Sequence, residues 1–246
     1  MKVTLLQWNV WYKEKIKNIV KVIKESNPDI VCLQEIDLNS QHNNYKNVPK
    51  EIAKSLNYKY FYRPSMKFKN KKGWEFLGNG IYSRFPLVNQ KMKYIQNPSG
   101  INDYDKQGRI YIESKVKFGK RLLTVGTAHV SYSHRFEITD RKIMEVNKLI
   151  KILKKNKKMF VFTGDMNSTP DSYTIKQLEK ILKNCGPDGY QKTWTTKPFD
   201  YKDFKETKLR WRLDYVFASK DIRVIRSKII KTKFSDHLPI LVEFEM

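Results

Sequence analysis

Cysteine is nearly absent from this chain, with two residues in 246. Cys32 sits in an apolar run and Cys185 stands beside Gly186-Pro187, so there is no disulfide framework and no zinc-ligand spacing. Long apolar runs are missing as well. None approaches the roughly 20 residues that a bilayer requires, and no membrane anchor is expected. The opening stretch, MKVTLLQWNVWYKEK, has a short apolar run but no small-residue cleavage site. It reads as a first β-strand instead of a signal peptide, which makes a cytoplasmic protein the expectation. No Walker loop or glycine-rich dinucleotide turn occurs, and no Gly-x-Ser-x-Gly elbow. No linker, short-period repeat or low-complexity stretch divides the chain, so residues 1–246 are expected to form a single domain.

Acidic side chains are also in short supply, 25 against 49 basic ones, for a formal net charge of +24. A surface this basic attracts polyanions such as nucleic acid, anionic lipid or polyphosphate. Lysines outnumber arginines 39 to 10 and are spread along the chain, with Lys67, Lys69, Lys71 and Lys72 as one short cluster. AT-rich coding yields the same spread, so charge alone does not choose among these partners.

The chain does hold enough apolar material for a sizeable core, with 40% hydrophobic and 13% aromatic residues. Strands are expected at residues 3–10, 30–33, 79–83, 109–116, 121–130, 159–163, 213–218, 222–230 and 238–244. Helices are expected at 14–26, with Ile16, Ile19, Val20 and Ile23 on one face, and at 138–153, with Ile143, Val146, Leu149, Ile150 and Leu153 at helical spacing. Strands and helices intermixed over the whole length indicate an α/β domain with substantial sheet. Residues 192–210 form a long connection of the kind that is usually functional.

Polar residues directly after apolar runs are the informative signal. Asn9 follows LLQW, Glu35 follows IVCLQ, His129 follows LLTVGTA, Asp165 and Asn167 follow MFVFTG, and Asp236-His237 precedes LPILVEF. Strand ends are rigid platforms from which side chains converge. Singly, each has an ordinary reading: Asn9 as a turn residue, Glu35 as a solvated loop charge, Asp165 as a helix cap. Together they offer only carboxylate, amide and imidazole groups, an inventory suited to a hard cation and a phosphate. Glu35 is the leading ligand candidate for Mg²⁺, or Mn²⁺ in its place, with Asp165, Asn9 or Asp236 nearby.

The strings LLQWNV, DIVCLQEID, GNGIYSRFP, TAHVSY, FTGDMNSTPDS, RWRLDYVFAS and FSDHLPI, in that order, resemble the endonuclease/exonuclease/phosphatase superfamily over residues 3–244. The resemblance implies a DNase I-like four-layer α/β sandwich, two mixed β-sheets flanked by helices, with the active site at one sheet edge. It implies Glu35 as the principal Mg²⁺ ligand, assisted by Asn9, with Asp236 close to the metal. Asp165 would position or deprotonate the attacking water, and Asn167 would hold water and phosphate. Asp214 in RLDY would orient His237, which would contact the scissile phosphate. His129 in TAHVSY matches the DNase I, sphingomyelinase and phosphoinositide phosphatase branches. RWRLDYVFAS instead resembles the abasic-site endonucleases, which place aromatics around an abasic sugar where Trp194 and Trp211 stand; packing in the core or the loop is the other reading of both tryptophans.

Weaker candidates are Arg84 and Arg109, which could reach phosphates or simply pair with acidic neighbours, and Glu75 as a partner of His129. His42 and His134 have polar surroundings and are expected at the surface. The expected activity is hydrolysis of DNA by a monomer, with damaged sites as one target. A sphingomyelin or inositol-phosphate phosphodiesterase or phosphatase shares every catalytic residue and is the alternative. A basic binding scaffold with a decayed site fits poorly, because every motif position is present.

Overall fold

Successive residues on a strand point to opposite faces, and in the central strands of this chain both faces are covered. In the computed structural model, which describes residues 1–100, 106–156 and 158–246, strand β1 (Lys2–Asn9) sends Leu5 into one core and Leu6 and Trp8 into another. Strands buried on both sides read as unbroken apolar runs. That is why LLQW, IVCL and FVF show no alternation.

The chain continues through α1 (Ile16–Ser26), β2 (Ile30–Leu38), α2 (Val48–Leu56), β3 (Lys59–Asn70), β4 (Gly73–Ser83) and β5 (Leu87–Gln96). Then come β6 (Arg109–Phe118), β7 (Arg121–His129), α3 (Asp140–Leu153), β8 (Phe160–Asp165), α4 (Tyr173–Glu179) and β9 (Lys183–Asn184). The short hairpin β10 (Phe199–Tyr201) and β11 (Phe204–Glu206) precedes β12 (Asp214–Ala218), β13 (Arg223–Ile229) and β14 (Ile240–Glu245). One six-stranded sheet has the order β13-β14-β1-β2-β4-β3 and the other β5-β6-β7-β8-β12-β9. Between them lies a core that includes Leu5, Cys32 and Ile81 from the first sheet and Ile112, Val125 and Val216 from the second. On the outer face of the first sheet, Leu6, Trp8 and Leu33 pack against Ile19, Ile23 and Ile52 of α1 and α2. On the outer face of the second, Phe160, Phe162 and Phe217 pack against Leu149, Leu153 and Leu178 of α3 and α4. The result is the four-layer α/β sandwich that the resemblance implies.

Each sheet has one parallel pair joined through a helix, β1–α1–β2 and β7–α3–β8, and its other pairings are antiparallel. The carboxyl ends of these four strands meet at one edge of the sandwich. There Gln34 Nε2 donates to Thr127 Oγ1 across the sheets at 2.9 Å. The same placement of ligand sites outside strand carboxyl ends recurs in open α/β sheets. Residues 192–210 are not a bare loop, since they carry β10 and β11. Helices α2 and α4 and strands β3 and β5 lie outside the elements that apolar patterning marked.

Candidate active site

Local backbone devices aim each side chain at that edge. Asn9 ends β1. Glu35 sits where the β2–β4 register shifts between Leu33 and Ile36, with φ 56°; such a bulge re-aims a side chain that regular pleating would send elsewhere. Gly164, just before Asp165, is where β7 and β8 approach most closely, because a Cβ there would lie 2.0 Å from the Ala128 carbonyl oxygen. Asp214 opens β12 directly opposite Asp165. The 235–237 loop is stapled to the end of β1: Ser235 Oγ donates to the Asn9 carbonyl at 2.7 Å and accepts the His237 N–H at 3.0 Å. Trp8 Nε1 donates to the His237 carbonyl at 2.9 Å.

The side chains form a connected line. His237 Nδ1 lies 2.8 Å from Asp214 Oδ2, and its Nε2 lies 3.6 Å from Asp165 Oδ2. Asn9 Nδ2 donates to Asp165 Oδ2 and to Glu35 Oε1, both at 3.0 Å. The backbone N–H of Asn167 donates to Asp165 Oδ1 at 2.8 Å. Its amide nitrogen donates to the Val130 carbonyl at 3.0 Å and lies 3.1 Å from His129 Nε2. Asp165, Asp214, His129 and His237 are all buried, which makes each charge state depend on its neighbours.

Burial opposes protonation of His237, yet the carboxylates of Asp214, Asp165 and Asp236 outweigh it and hold the imidazole well above its usual range. Burial first, and Asp214 second, push Asp165 up to about 7 against the opposing pull of His237. Burial and then the Asp236 charge push Glu35 up. Burial, with Arg109 and His237 beyond it, drives His129 well below the usual imidazole value. His129 Nε2 is 3.5 Å from Asp165 Oδ2, but this contact is not an ion pair. The Asn167 amide nitrogen stands 3.1 Å from that same ring nitrogen, a contact in which a neutral imidazole accepts.

The donor set fits a hard divalent cation at Glu35. Its carboxylate and that of Asp236 repel each other, and oxygen ligands without thiolate suit Mg²⁺ or Mn²⁺. Donor atoms of Asp165, Asp214 and His237 also lie within 4.8 Å of one another. There, however, the imidazole already stands between the two carboxylates, an arrangement that suits proton handling better than caging an ion. Asn9 joins the carboxylates of Glu35 and Asp165 through its amide nitrogen, and its Oδ1 carries a second lone pair beyond the one taken by a backbone N–H. Its Oδ1 accepts the Trp11 N–H at 3.1 Å, so its amide side orients the carboxylates.

Glu35, His129, Asp165, Asn167, Asp236 and His237 line the floor of a cleft of about 1010 Å³ whose rim carries Lys13, Lys197, Lys202 and Arg141. Trp194 lines it too, donating from Nε1 to Asp236 Oδ2 at 3.2 Å. Trp211 does not reach the cleft; it packs behind Trp194, against Phe136 and Phe204, with Nε1 donating to Glu206 Oε2 at 2.9 Å. Arg109 is not an exposed phosphate-binding arm either. It is 1% exposed, with Nε donating to Ser131 Oγ at 3.2 Å beneath His129. Arg84 is tied to Pro28, Tyr58 and Asn27. Glu75 accepts from Asn70 Nδ2 at 3.2 Å, while His129 is met by Asn167 and Asp165. His42 and His134 stand on the cleft rim, the latter 2.9 Å from Asp203.

Sequence reasoning passed over Lys142, Thr193 and Trp11. Lys142 Nζ, buried, donates to the Asn167 carbonyl at 2.5 Å and to Ser133 Oγ at 2.9 Å. Thr193 Oγ1 accepts the backbone N–H groups of Leu213 and Asp214 at 3.0 and 3.2 Å. The only available signal for Lys142 was a lysine on the inward side of an otherwise apolar helical stripe.

A family model described as the endonuclease/exonuclease/phosphatase family matches residues 6–237. No curated protein matches the chain. Among solved structures, an endonuclease/exonuclease/phosphatase from Beutenbergia cavernae DSM 12333 superposes with a TM-score of 0.77 at 17% identity, covering 100% of this chain and 72% of that one. The human Nocturnin catalytic domain with bound sulfate gives 0.71 at 18% identity, covering 99% and 94%. D. rerio TDP2 complexed with a single-strand DNA product gives 0.68 at 17% identity, covering 100% and 99%. At these identities the structures establish the shared fold.

Proposed function

The chain belongs to the endonuclease/exonuclease/phosphatase family, and from that premise we propose that it hydrolyses phosphodiester bonds in nucleic acid, DNA foremost. The observation that carries this reading is that His237 and Asp165 stand beside Glu35 on the floor of a basic-rimmed cleft, with Asp214 buried behind His237. Asp165, pushed up to about 7, is poised to take a proton from a water aimed at phosphorus. His237, held protonated by Asp214, offers its Nε2–H to a phosphoryl oxygen. Asn167 holds His129 in register, so that its Nε2 and that of His237 both face Asp165 Oδ2. A divalent cation on Glu35 and Asp236, Mg²⁺ or Mn²⁺, would supply Lewis-acid neutralisation of the phosphoryl oxygens. The P–O bond to the leaving nucleotide breaks as the bond to the water oxygen forms, and preorganised donors supply most of the stabilisation.

Two further facts support nucleic acid: the net charge of +24, and a structural relative whose complex contains a single-strand DNA product. A specific observation also favours a second reading. Tyr132, Phe199 and Tyr201 line the cleft, and an aromatic wall equally receives the apolar part of a phospholipid such as sphingomyelin. No helix among the described residues is long and apolar enough to cross a membrane. The deciding experiment is a substrate panel: intact duplex, abasic duplex, single-stranded DNA, RNA, sphingomyelin vesicles and bis(p-nitrophenyl) phosphate, each with Mg²⁺ and with chelator. Turnover of the polynucleotides above the lipid is expected, and the reverse order replaces this proposal with the second reading.

A further inference from the structure

Trp11 is a large aromatic side chain that no core of the molecule uses. It belongs to none of the four buried apolar clusters of the described residues. It is half-buried and lines the cleft beside Glu35. Its backbone is left-handed, with φ 59°, a conformation that is uncommon for a bulky residue and held only where the surroundings enforce it. The catalytic edge provides that enforcement. The Trp11 N–H donates to Asn9 Oδ1 at 3.1 Å, and the next N–H, of Tyr12, donates to Glu35 Oε2 at 3.4 Å. The indole is thus presented at a fixed place next to the carboxylates.

Two ammonium groups from distant parts of the chain attend the ring. Lys13 Nζ is 5.4 Å and Lys197 Nζ 5.3 Å from its centroid. Lys197 is itself anchored, donating to the Lys233 carbonyl at 3.1 Å. Both ammonium groups lie over the indole in cation–π contact. An aromatic ring attended by cations is the chemistry that binds single strands: as the strand arrives the ammonium groups exchange the ring for neighbouring phosphates and leave its face to a base of any identity. A base within a duplex is already stacked on both faces and must be extruded to use such a ring.

We propose that Trp11, Lys13 and Lys197 form a nucleotide-stacking subsite that makes single strands better substrates than duplex. The proposal rests on the nucleic-acid reading of the same cleft. The test uses a single-stranded oligonucleotide in which one nucleotide at a time is replaced by an abasic tetrahydrofuran unit, with kcat/KM measured for wild type, Trp11→Phe and Trp11→Ala. In wild type, base removal at one position near the scissile bond should lower kcat/KM about 5- to 150-fold. Trp11→Phe should keep that positional penalty and Trp11→Ala should lose most of it. The single-strand to duplex ratio should narrow in the alanine variant as well. An equal penalty in wild type and Trp11→Ala, or no positional penalty in wild type, overturns the subsite. If Trp11→Ala does not fold, Trp11→Leu is read against Trp11→Phe in the same way. If no oligonucleotide is cleaved while bis(p-nitrophenyl) phosphate is, the nucleic-acid reading itself has failed and the subsite with it.

Discussion

His237 has a carboxylate at each ring nitrogen, and the two do different things. The 2.8 Å contact to Asp214 fixes the ring, while Asp165 faces the cleft at 3.6 Å. Asp214→Asn should therefore lower kcat by about 10²–10⁴, in the range of acid–base groups. Residues that act as one unit are strongly non-additive, so the double variant with His237→Ala should be little worse than His237→Ala alone. Losses that multiply in steady-state kinetics would break the unit apart. Trp211 calls for a different expectation, because it packs behind the cleft wall. Trp211→Ala should cost about 1–3 kcal/mol in a denaturation curve and leave the abasic-to-intact cleavage ratio where it was. A collapse of that ratio would restore the abasic-site role that RWRLDY suggests. Asp165 stood out in the sequence as a polar residue closing an apolar run, and His237 as one just before such a run, whereas Glu35 lies inside β2 and is aimed by a bulge that the run itself does not show. Asn9's amide orientation was not legible, since it depends on one hydrogen bond from Trp11.

Among the elements, α3 has the most to do with the site beyond its packing. Thr139 caps it, accepting the Lys142 N–H at 3.2 Å. Lys142 then reaches from the helix to the Asn167 carbonyl, and Glu145 to Ser131, its Oε1 accepting from Oγ at 2.5 Å. Burial pushes the Lys142 ammonium down to about 8, despite the opposing charges of Glu145 and Asp165. In the unfolded chain it titrates near 10.4, so between those values the folded state binds fewer protons. Stability contributed by this residue must then rise with pH across roughly 8 to 10.4 and stay level below it. Thermal melts of wild type and Lys142→Met over that window check this. Wild type should gain on the variant as pH rises, and parallel curves would contradict the account. The same scale explains which elements were readable. Central strands such as β2 and β8 are apolar on both faces, whereas the edge strands β3 and β5 alternate lysine with half-buried residues and resemble solvated segments. Helix α2 has nine residues, too few for a strong periodic signal.

For the molecule as a whole, the balance of 49 basic to 25 acidic residues matters only if the surface follows a phosphate backbone. In that case log kcat/KM for a polynucleotide should fall linearly with log salt, by about 0.7 per phosphate contacted in a single strand and about 0.9 in duplex. A small phosphodiester should show almost no slope, and a flat polynucleotide curve would mean that the charge is compositional. The sandwich was legible because the motif strings mark its central strands in order. The cleft's aromatic wall was not, since Phe199 and Tyr201 come from a short hairpin inside a segment that read as loop. On the proposed mechanism Glu35 would anchor a divalent cation without which the relay beside it cannot cut a phosphodiester. The most direct measurement is cleavage of a labelled single-stranded oligonucleotide by wild type and Glu35→Ala, in Mg²⁺ and after removal of metal by chelator. Cleavage only by wild type with Mg²⁺, with both proteins melting as folded molecules, is the predicted result; full turnover in excess chelator, or by Glu35→Ala, would contradict it.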